Sequence, residues 1–245
     1  MKRFAYAALA FASISFTTFA GAQESTSNAT DAVALRPIKT GDTLTYQRTP
    51  YLQPTVRGEI TLSKSPGKPF DVSVVSDDGK ERVLKFSNGE EVYDKTHAMI
   101  GWIDNSGARK DYDPKSVLHW MPQGELNPDM EWSSAMDWNL KGVNYGGECT
   151  DEAKYKAISS PTTRDVLING KVVHVDAVEV TIKGRLKSVS SCSLISGEQD
   201  VLKTFVYSKA LNLVLEKTSL SQSDYKEMVG GTSNRVESII AITQN

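Results

Sequence analysis

The segment GKVVHVDAVEVTIKG, residues 170–184, carries the alternating pattern that decides the fold class. From Val178 onward apolar and polar residues alternate, which is typical of a strand with one buried face and one exposed face. Before Ala177 the phase is reversed, and a phase change within one strand predicts a bulge or bend near Asp176. His174 and Asp176 then lie on the solvent face. The alternative is a functional pair that a bulge aims towards a site.

Turn signals divide most of the remaining chain into short strands. Asp78-Gly79, Asn88-Gly89 and Asn169-Gly170 are typical hairpin dipeptides, because both central residues of a type I′ turn need positive φ. About a dozen strand segments follow one another at hairpin spacing, with almost no helical periodicity. The sequence therefore predicts an all-β antiparallel meander that forms an open half-barrel or a closed barrel.

One long segment, residues 114–147, breaks this rhythm. It holds three prolines, four glycines and three of the four tryptophans, and we expect it to be irregular, with one helical turn near Ser116. Aromatic residues in a loop over a β scaffold are suited to line a groove for an apolar ligand. The candidate ligand-binding residues are Trp102, Trp120, Trp132, Trp138, Tyr112 and Tyr145. The alternative is that the tryptophans fill the core, where tryptophan is usually well buried.

The N-terminus has the features of a cleaved secretory signal peptide. Lys2 and Arg3 precede an apolar run over residues 4–19, and small residues follow it. We expect cleavage between Ala22 and Gln23 and a periplasmic or secreted protein. The predicted organisation is a signal peptide at 1–22, a flexible leader at 23–35 and a single antiparallel β domain at 36–245.

Charge and composition exclude several classes of partner. The chain has a formal net charge of −2, and loss of the two basic residues before the cleavage site would make it more acidic. Nucleic-acid binding is therefore not expected, since it requires a basic patch or stripe. The apolar run is too short to be a good membrane span, and no cysteine follows it to accept a lipid. No stable membrane anchor is expected.

The two cysteines, Cys149 and Cys192, both follow the predicted cleavage site. An even number of cysteines in an exported protein favours a disulfide. There is no C-x-x-C redox pair, and two isolated thiols without nearby histidines make a poor metal site. We therefore predict a structural bridge between them.

The search for catalytic chemistry finds no constellation. There is no G-x-S-x-G elbow, H-E-x-x-H pair or glycine-rich phosphate loop. His97, His119 and His174 are scattered without the spacing of metal ligands. No cofactor and no metal are predicted, and the protein is not expected to be an enzyme.

Four motifs resemble those of bacterial exported β-rich proteins of unknown function. These proteins have a GD-x-W-x-Y opening strand, a tryptophan after a proline- and glycine-containing loop, a G-x-x-x-x-D-A-x-x-V strand and a late W-Y-S-P-x-L-N hairpin. The corresponding stretches here are GDTLTY (41–46), MPQGELNPDMEW (121–132), GKVVHVDAVEV (170–180) and FVYSKALN (205–212). Leu44 stands where these proteins prefer tryptophan, and Lys209 where they prefer proline. The resemblance implies a periplasmic antiparallel β protein similar in style to open half-barrels that hold lipid or lipoprotein chains.

Three functional hypotheses follow. The first is a non-enzymatic envelope protein that binds an apolar or amphipathic ligand or assists envelope assembly. The second is an envelope glycan or peptide hydrolase that uses acids of the aromatic segment, such as Glu125, Asp129 or Glu131. The third is a structural docking module for an envelope protein, which presents an exposed strand edge. Under the first hypothesis, the same three acids would favour a neutral or cationic ligand.

Overall fold

The alternating segments of the sequence form the strands of one sheet. A computed structural model of the chain describes residues 34–52, 61–141, 148–188, 198–223 and 234–245. In these ranges the backbone forms thirteen strands and one short 3-10 helix, Pro114–Ser116. The strands are β1 (Thr43–Leu52), β2 (Thr61–Leu62), β3 (Phe70–Asp77), β4 (Glu81–Phe86), β5 (Gly89–Asp94), β6 (Met99–Ile103), β7 (Arg109–Asp111), β8 (Glu131–Lys141), β9 (Glu148–Ile168), β10 (Lys171–Ser188), β11 (Glu198–Ser208), β12 (Leu213–Ser223) and β13 (Arg235–Thr243). None of the described helical structure is long and apolar enough to cross a membrane.

The strand order is that of a meander. It runs β7-β6-β5-β4-β3-β1-β13-β12-β11-β10-β9-β8, with β2 paired to β1 beside this path. Most sequential strands are neighbours, as short hairpin connections require. The end of β13 also pairs in parallel with the end of β9, where Ile242 lies beside Ile168. Among the described residues, β9 to β13 thus form a partial ring of five strands. The predicted all-β antiparallel meander is confirmed, and its closure takes the form of this partial ring.

The long hairpin β9–β10 contains the segment that decided the fold class. Its turn is Asn169-Gly170, and both residues have positive φ, 50° and 79°, as predicted for this dipeptide. The pairing runs without a register shift along the whole of β10, so the predicted bulge near Asp176 is wrong. The phase of the apolar alternation changes because the two halves of β10 bury opposite faces. Near the hairpin turn the buried face is that of Val175, and farther from the turn it is that of Val180.

The irregular segment is shorter than the sequence predicts. A 3-10 turn does lie beside Ser116, but Glu131–Lys141 is strand β8, paired antiparallel with β9. The prediction of irregular structure up to 147 is therefore wrong for this part, and residues 142–147 lie outside the described ranges. The physical reason is the length of β9. Without β8, one side of that strand would present a long row of unpaired backbone groups.

Buried apolar residues form two clusters. The larger one includes Leu44, Val72, Val74, Leu84, Val166, Ile168, Val175, Leu211 and Leu215. The smaller one consists of Trp120, Leu126, Tyr155, Ala157, Val180 and Ile182, with Phe205 and Trp132 packed against it. Trp120 and Leu126 come from the irregular segment between β7 and β8. Burying them fixes this segment over the faces of β9 to β11 and positions the site.

Candidate functional site

A cavity of about 170 Å³ lies between the irregular segment and the sheet. Side chains from β1, β4 and β5 and from β11, β12 and β13 line it, so both halves of the strand order contribute. Its apolar lining includes Leu84, Ala98, Met99, Leu118, Trp120 and Phe205. Its polar lining consists of Tyr46, Arg82, Tyr93, His97, Lys217 and Glu237. A mostly apolar concave site with a few convergent polar groups is the usual form of a small-molecule site.

Trp120 forms the apolar wall. It is 2% exposed and stacks on Phe205, with ring centroids 4.5 Å apart and planes 8° apart. Its indole Nε1 donates to the carbonyl oxygen of His97 at 3.2 Å. The stacking and the hydrogen bond join the irregular segment to β11 and to the β5–β6 turn, so the position of the indole is determined from two directions.

Ser159 in β9 anchors the end of the irregular segment. Its hydroxyl donates to the carbonyl oxygen of Asn127 at 2.7 Å and accepts from the amide of Met130 at 2.9 Å. The backbone of Ser159 forms two further hydrogen bonds with this segment. Its carbonyl oxygen accepts from the Asp129 amide at 3.0 Å, and its amide donates to the Met130 carbonyl oxygen at 2.9 Å. Ser159 is buried, so these bonds satisfy groups that water cannot reach.

Glu237 is the centre of an ion cluster at the polar end. It is 2% exposed, and its carboxylate contacts Arg48 Nε at 2.7 Å, Arg235 Nε at 3.0 Å and Lys217 Nζ at 3.2 Å. Lys217 and Arg48 lie directly opposite Glu237 on the two neighbouring strands. Burial acts to raise the pKa of Glu237, but the three cations outweigh it and lower the pKa to about 2.

Lys217 is the cation of this cluster that lines the cavity, together with the carboxylate of Glu237. Burial acts to lower the pKa of Lys217, but the negative charges of Glu237 and Glu91 outweigh burial and the pKa is raised. Its side chain keeps 38% of its surface accessible and lines the cavity. The ammonium therefore stays charged, and one ion pair uses only part of its three donors.

His97 forms another polar part of the wall. It has φ of 59° in the β5–β6 turn, and its Nε2 donates to Asn212 Oδ1 at 3.0 Å. The Tyr207 hydroxyl donates to the same oxygen at 2.9 Å. Burial, with help from the charge of Arg82, lowers the pKa of His97 to about 4, so the ring is neutral at neutral pH.

Asn212 is a residue that the sequence analysis did not select. It adopts φ of 48°, and its side chain holds both His97 and Tyr207. The backbone carbonyl oxygen of Asn212 accepts a hydrogen bond from Arg82 Nη1 at 2.7 Å. The available signal was its place at the end of FVYSKALN, because asparagine is one of the few residues that tolerate a left-handed turn.

The six predicted aromatic residues do not form one surface. Trp120 lines the cavity, and Trp132 packs, half-buried, on the smaller cluster beside it. The indole of Trp102 lies over Gly89, where any Cβ would clash with it. Tyr112 is 38% exposed and does not line the cavity. The side chains of Trp138 and Tyr145 lie outside the description.

The predicted acids of the aromatic segment lie on the surface. Glu125 forms an ion pair with Lys209 Nζ, and Asp129 and Glu131 are exposed. These three acids do not line the cavity. No three or more His, Cys, Asp or Glu side chains within the described ranges are grouped to hold a metal ion.

His174 and Asp176 are exposed, as predicted. His174 Nδ1 lies 2.7 Å from Asp165 Oδ1 across the hairpin. The predicted disulfide lies outside the described residues, since Cys192 falls in 189–197 and the side chain of Cys149 is not described. The predicted signal peptide also lies outside them.

No protein-family model matches the chain, and no curated protein or solved structure is significantly similar to it. The likeness of its four motifs to exported bacterial proteins remains a sequence-based expectation.

Proposed function

We propose that the protein is an exported, non-enzymatic envelope protein that binds the apolar part of an amphipathic molecule in the cavity beneath Trp120. The observation that carries the proposal is a cavity with an apolar wall, formed by Trp120 and Phe205, and a polar end at Lys217. This arrangement matches a molecule with one apolar end and one polar end. Export is inferred from the signal-like N-terminus.

The size of the cavity limits the ligand. Engineered apolar cavities of about 150 Å³ hold one benzene molecule, and the volume here is about 170 Å³. It accommodates a ring or a short stretch of alkyl chain. A longer chain would have to leave the cavity or displace the segment that carries Trp120.

The state of the polar groups favours binding over catalysis. General acids and bases work best with a pKa near the working pH. The pKa of Glu237 is about 2 and that of His97 is about 4. Both values are far from neutral, and Glu237 is held by three cations. The hydrolase alternative gains no support from Glu125, Asp129 or Glu131, because these acids lie away from the cavity.

A titration with octanol tests the proposal. A variant with Trp102, Trp132 and Trp138 changed to phenylalanine keeps Trp120 as its single tryptophan. Octanol should shift the emission of this tryptophan and saturate at one molecule per chain. The matched control keeps Trp102 in place of Trp120 and should show no shift. A saturable response in the control alone, or no binding in either variant, would reject the cavity as the binding site.

One observation supports the docking alternative. Strand β8 ends the strand order, with β9 as its only neighbour among the described residues. Such an edge can pair with a strand of another chain. Cross-linking from a cysteine placed at Ser133, which is exposed in β8, tests this. Capture of one stoichiometric envelope protein, together with no octanol binding, would favour docking over ligand binding.

A further inference from the structure

We propose that the cavity selects amphiphiles with an anionic head group, a carboxylate or a phosphate, held by the Tyr46 hydroxyl and the Lys217 ammonium, with Lys203 beside them. This inference rests on the proposed function and specifies the ligand class of the same site. It follows from a cavity-lining hydroxyl and a lysine that both lack a hydrogen-bond partner among the described residues, and from the balance of charge around them.

Tyr46 is the first observation. The residue is 7% exposed and lines the cavity, yet its hydroxyl has no hydrogen-bond partner among the described residues. The hydroxyl opens into the cavity, because the one described side-chain polar atom that is both fully buried and without a partner is Trp132 Nε1. Burial raises the pKa of Tyr46, so the group is a neutral O–H donor. A ligand oxygen in the cavity would supply the acceptor.

Lys203 is the second observation. It lies on β11 two residues before Phe205, and therefore on the same face of the sheet. Phe205 is opposite Lys217 on β12, which makes Lys203 and Lys217 diagonal neighbours. Diagonal side chains in antiparallel sheets are about 7–8 Å apart. No described residue forms a hydrogen bond or ion pair with Lys203.

The balance of charge on this face is positive. In the part of the chain that the structure describes, Arg48, Arg235 and Lys217 contact the buried carboxylate of Glu237, and Lys203 lies diagonal to Lys217. The one further acid near Lys217 is Glu91, and its carboxylate accepts from the Tyr93 hydroxyl. Four cations and two acids therefore lie close together on this face, and Lys203 has no hydrogen-bond or ion-pair partner among the described residues.

This arrangement does not favour stability by itself. Like charges on neighbouring strands repel, and burial together with the charge of Lys217 lowers the pKa of Lys203. An anion between Lys203 and Lys217 would relieve the repulsion and accept from both ammonium groups. Charge-assisted hydrogen bonds of this kind are the strong ones in proteins.

The inference reverses an expectation from the sequence. Glu125, Asp129 and Glu131 favoured a neutral or cationic ligand as long as their segment was taken as the wall of the site. These acids are exposed and do not line the cavity. The charged side chains that do line it are Arg82 of β4, Lys217 of β12 and Glu237 of β13, and the sequence does not connect these strands with the aromatic segment.

Four ligands with the same chain test the head group: octanoate, octyl phosphate, octanol and octyltrimethylammonium. Calorimetric titration of the full chain should show both anions binding about tenfold tighter than octanol, as charge-assisted bonds imply. Octyltrimethylammonium should bind most weakly. A preference for octyl phosphate would point to lipid phosphates as the source of the head group, and a preference for octanoate would point to fatty acids.

Two conservative variants test the residues. Tyr46→Phe removes the hydroxyl and should weaken octanoate binding several-fold while leaving octyltrimethylammonium binding unchanged. Lys203→Gln removes the positive charge. It should weaken octanoate binding several-fold and, because a repulsion is relieved, strengthen octyltrimethylammonium binding. Lys203→Gln should also flatten the dependence of octanoate affinity on salt. The matched control is Lys183→Gln on neighbouring β10. Lys183 is exposed and adjacent to the buried Ile182, so it lies on the opposite face.

The outcomes separate this inference from the proposed function. Equal affinity for all four ligands would overturn the anion preference and leave the apolar site standing. Tightest binding of octyltrimethylammonium would also overturn it, by showing that Glu237 and Glu91 dominate. Unchanged octanoate binding in both variants would remove Tyr46 and Lys203 from the site. Absence of binding by every ligand would reject the proposed function, and this inference with it.

Discussion

Trp120 and Phe205 stack face to face, with 4.5 Å between ring centroids and 8° between planes, and so fasten an irregular segment to the sheet. Trp120→Ala should lower the free energy of unfolding by about 3–5 kcal/mol, the usual cost of truncating a large buried aromatic residue. Urea denaturation measures this loss. Tyr112→Ala, at a more exposed aromatic site, is the control and should cost much less. A loss below about 1 kcal/mol for Trp120→Ala would mean that the stack does not hold the segment.

Ser159 should matter more than its size suggests. Ser159→Ala leaves the amide of Met130 and the carbonyl of Asn127 without their buried partner, at a cost of about 1–3 kcal/mol. Hydrogen exchange at the Met130 amide should accelerate together with the loss of stability. Ser160→Ala, at an exposed neighbour, should stay within about 0.5 kcal/mol of the parent chain. Equal effects of the two changes would argue against the anchor.

The ion cluster around Glu237 gives the fold an acid-sensitive component. The folded pKa of about 2 lies below the ordinary value of 4.5. The stabilisation is therefore complete above pH 4.5 and is lost as the pH falls towards 2, by about 3 kcal/mol in total. Glu237→Gln should destabilise the protein by about 1–3 kcal/mol at neutral pH, because it leaves three partly exposed cations around a neutral amide. It should also flatten the pH profile between 4.5 and 2. A profile in the variant as steep as in the parent would place the acid sensitivity elsewhere.

His97 titrates in a separate window. Its pKa falls from 6.5 to about 4 on folding, so between these values the unfolded chain binds the proton and the folded chain does not. The free energy of unfolding should therefore decrease as the pH is lowered from 6.5 to 4. His97→Gln keeps a donor for Asn212 and should remove much of this slope. An equal slope in the variant and in the parent chain would contradict a buried neutral ring.

Local signals in the sequence were sufficient to predict the strands and several of the turns. Asn169-Gly170 forms the predicted hairpin because the requirement for positive φ is met by those two residues alone. The conformation at the start of GDTLTY (41–46) also has a local cause. Gly41 adopts φ of 92°, and the buried Asp42 accepts two bonds of 2.8 Å from Arg36. Such short-range requirements can be predicted without knowledge of the partner strands.

The remaining features of the fold and of the candidate site depend on contacts between residues that are distant in the sequence. The change of phase near Asp176 looked like a bulge because alternation shows only which side is buried, not which cluster buries it. Glu237 appeared to be an ordinary polar residue of a final strand. Its importance comes from Lys217 and Arg48 on the two neighbouring strands. Trp120 was predicted, but Tyr46 and Lys217, which complete the cavity, belong to strands that the sequence did not place beside it.

The most direct test of the account is an intermolecular nuclear Overhauser measurement with octanoate bound to the isotope-labelled chain. Methylene protons of the ligand should give cross-peaks to the Trp120 indole and the Phe205 ring. Protons next to the carboxylate should instead lie close to Lys217. Cross-peaks confined to exposed residues such as Tyr112, or none at all under saturating ligand, would contradict the claim that this cavity binds an amphipathic molecule.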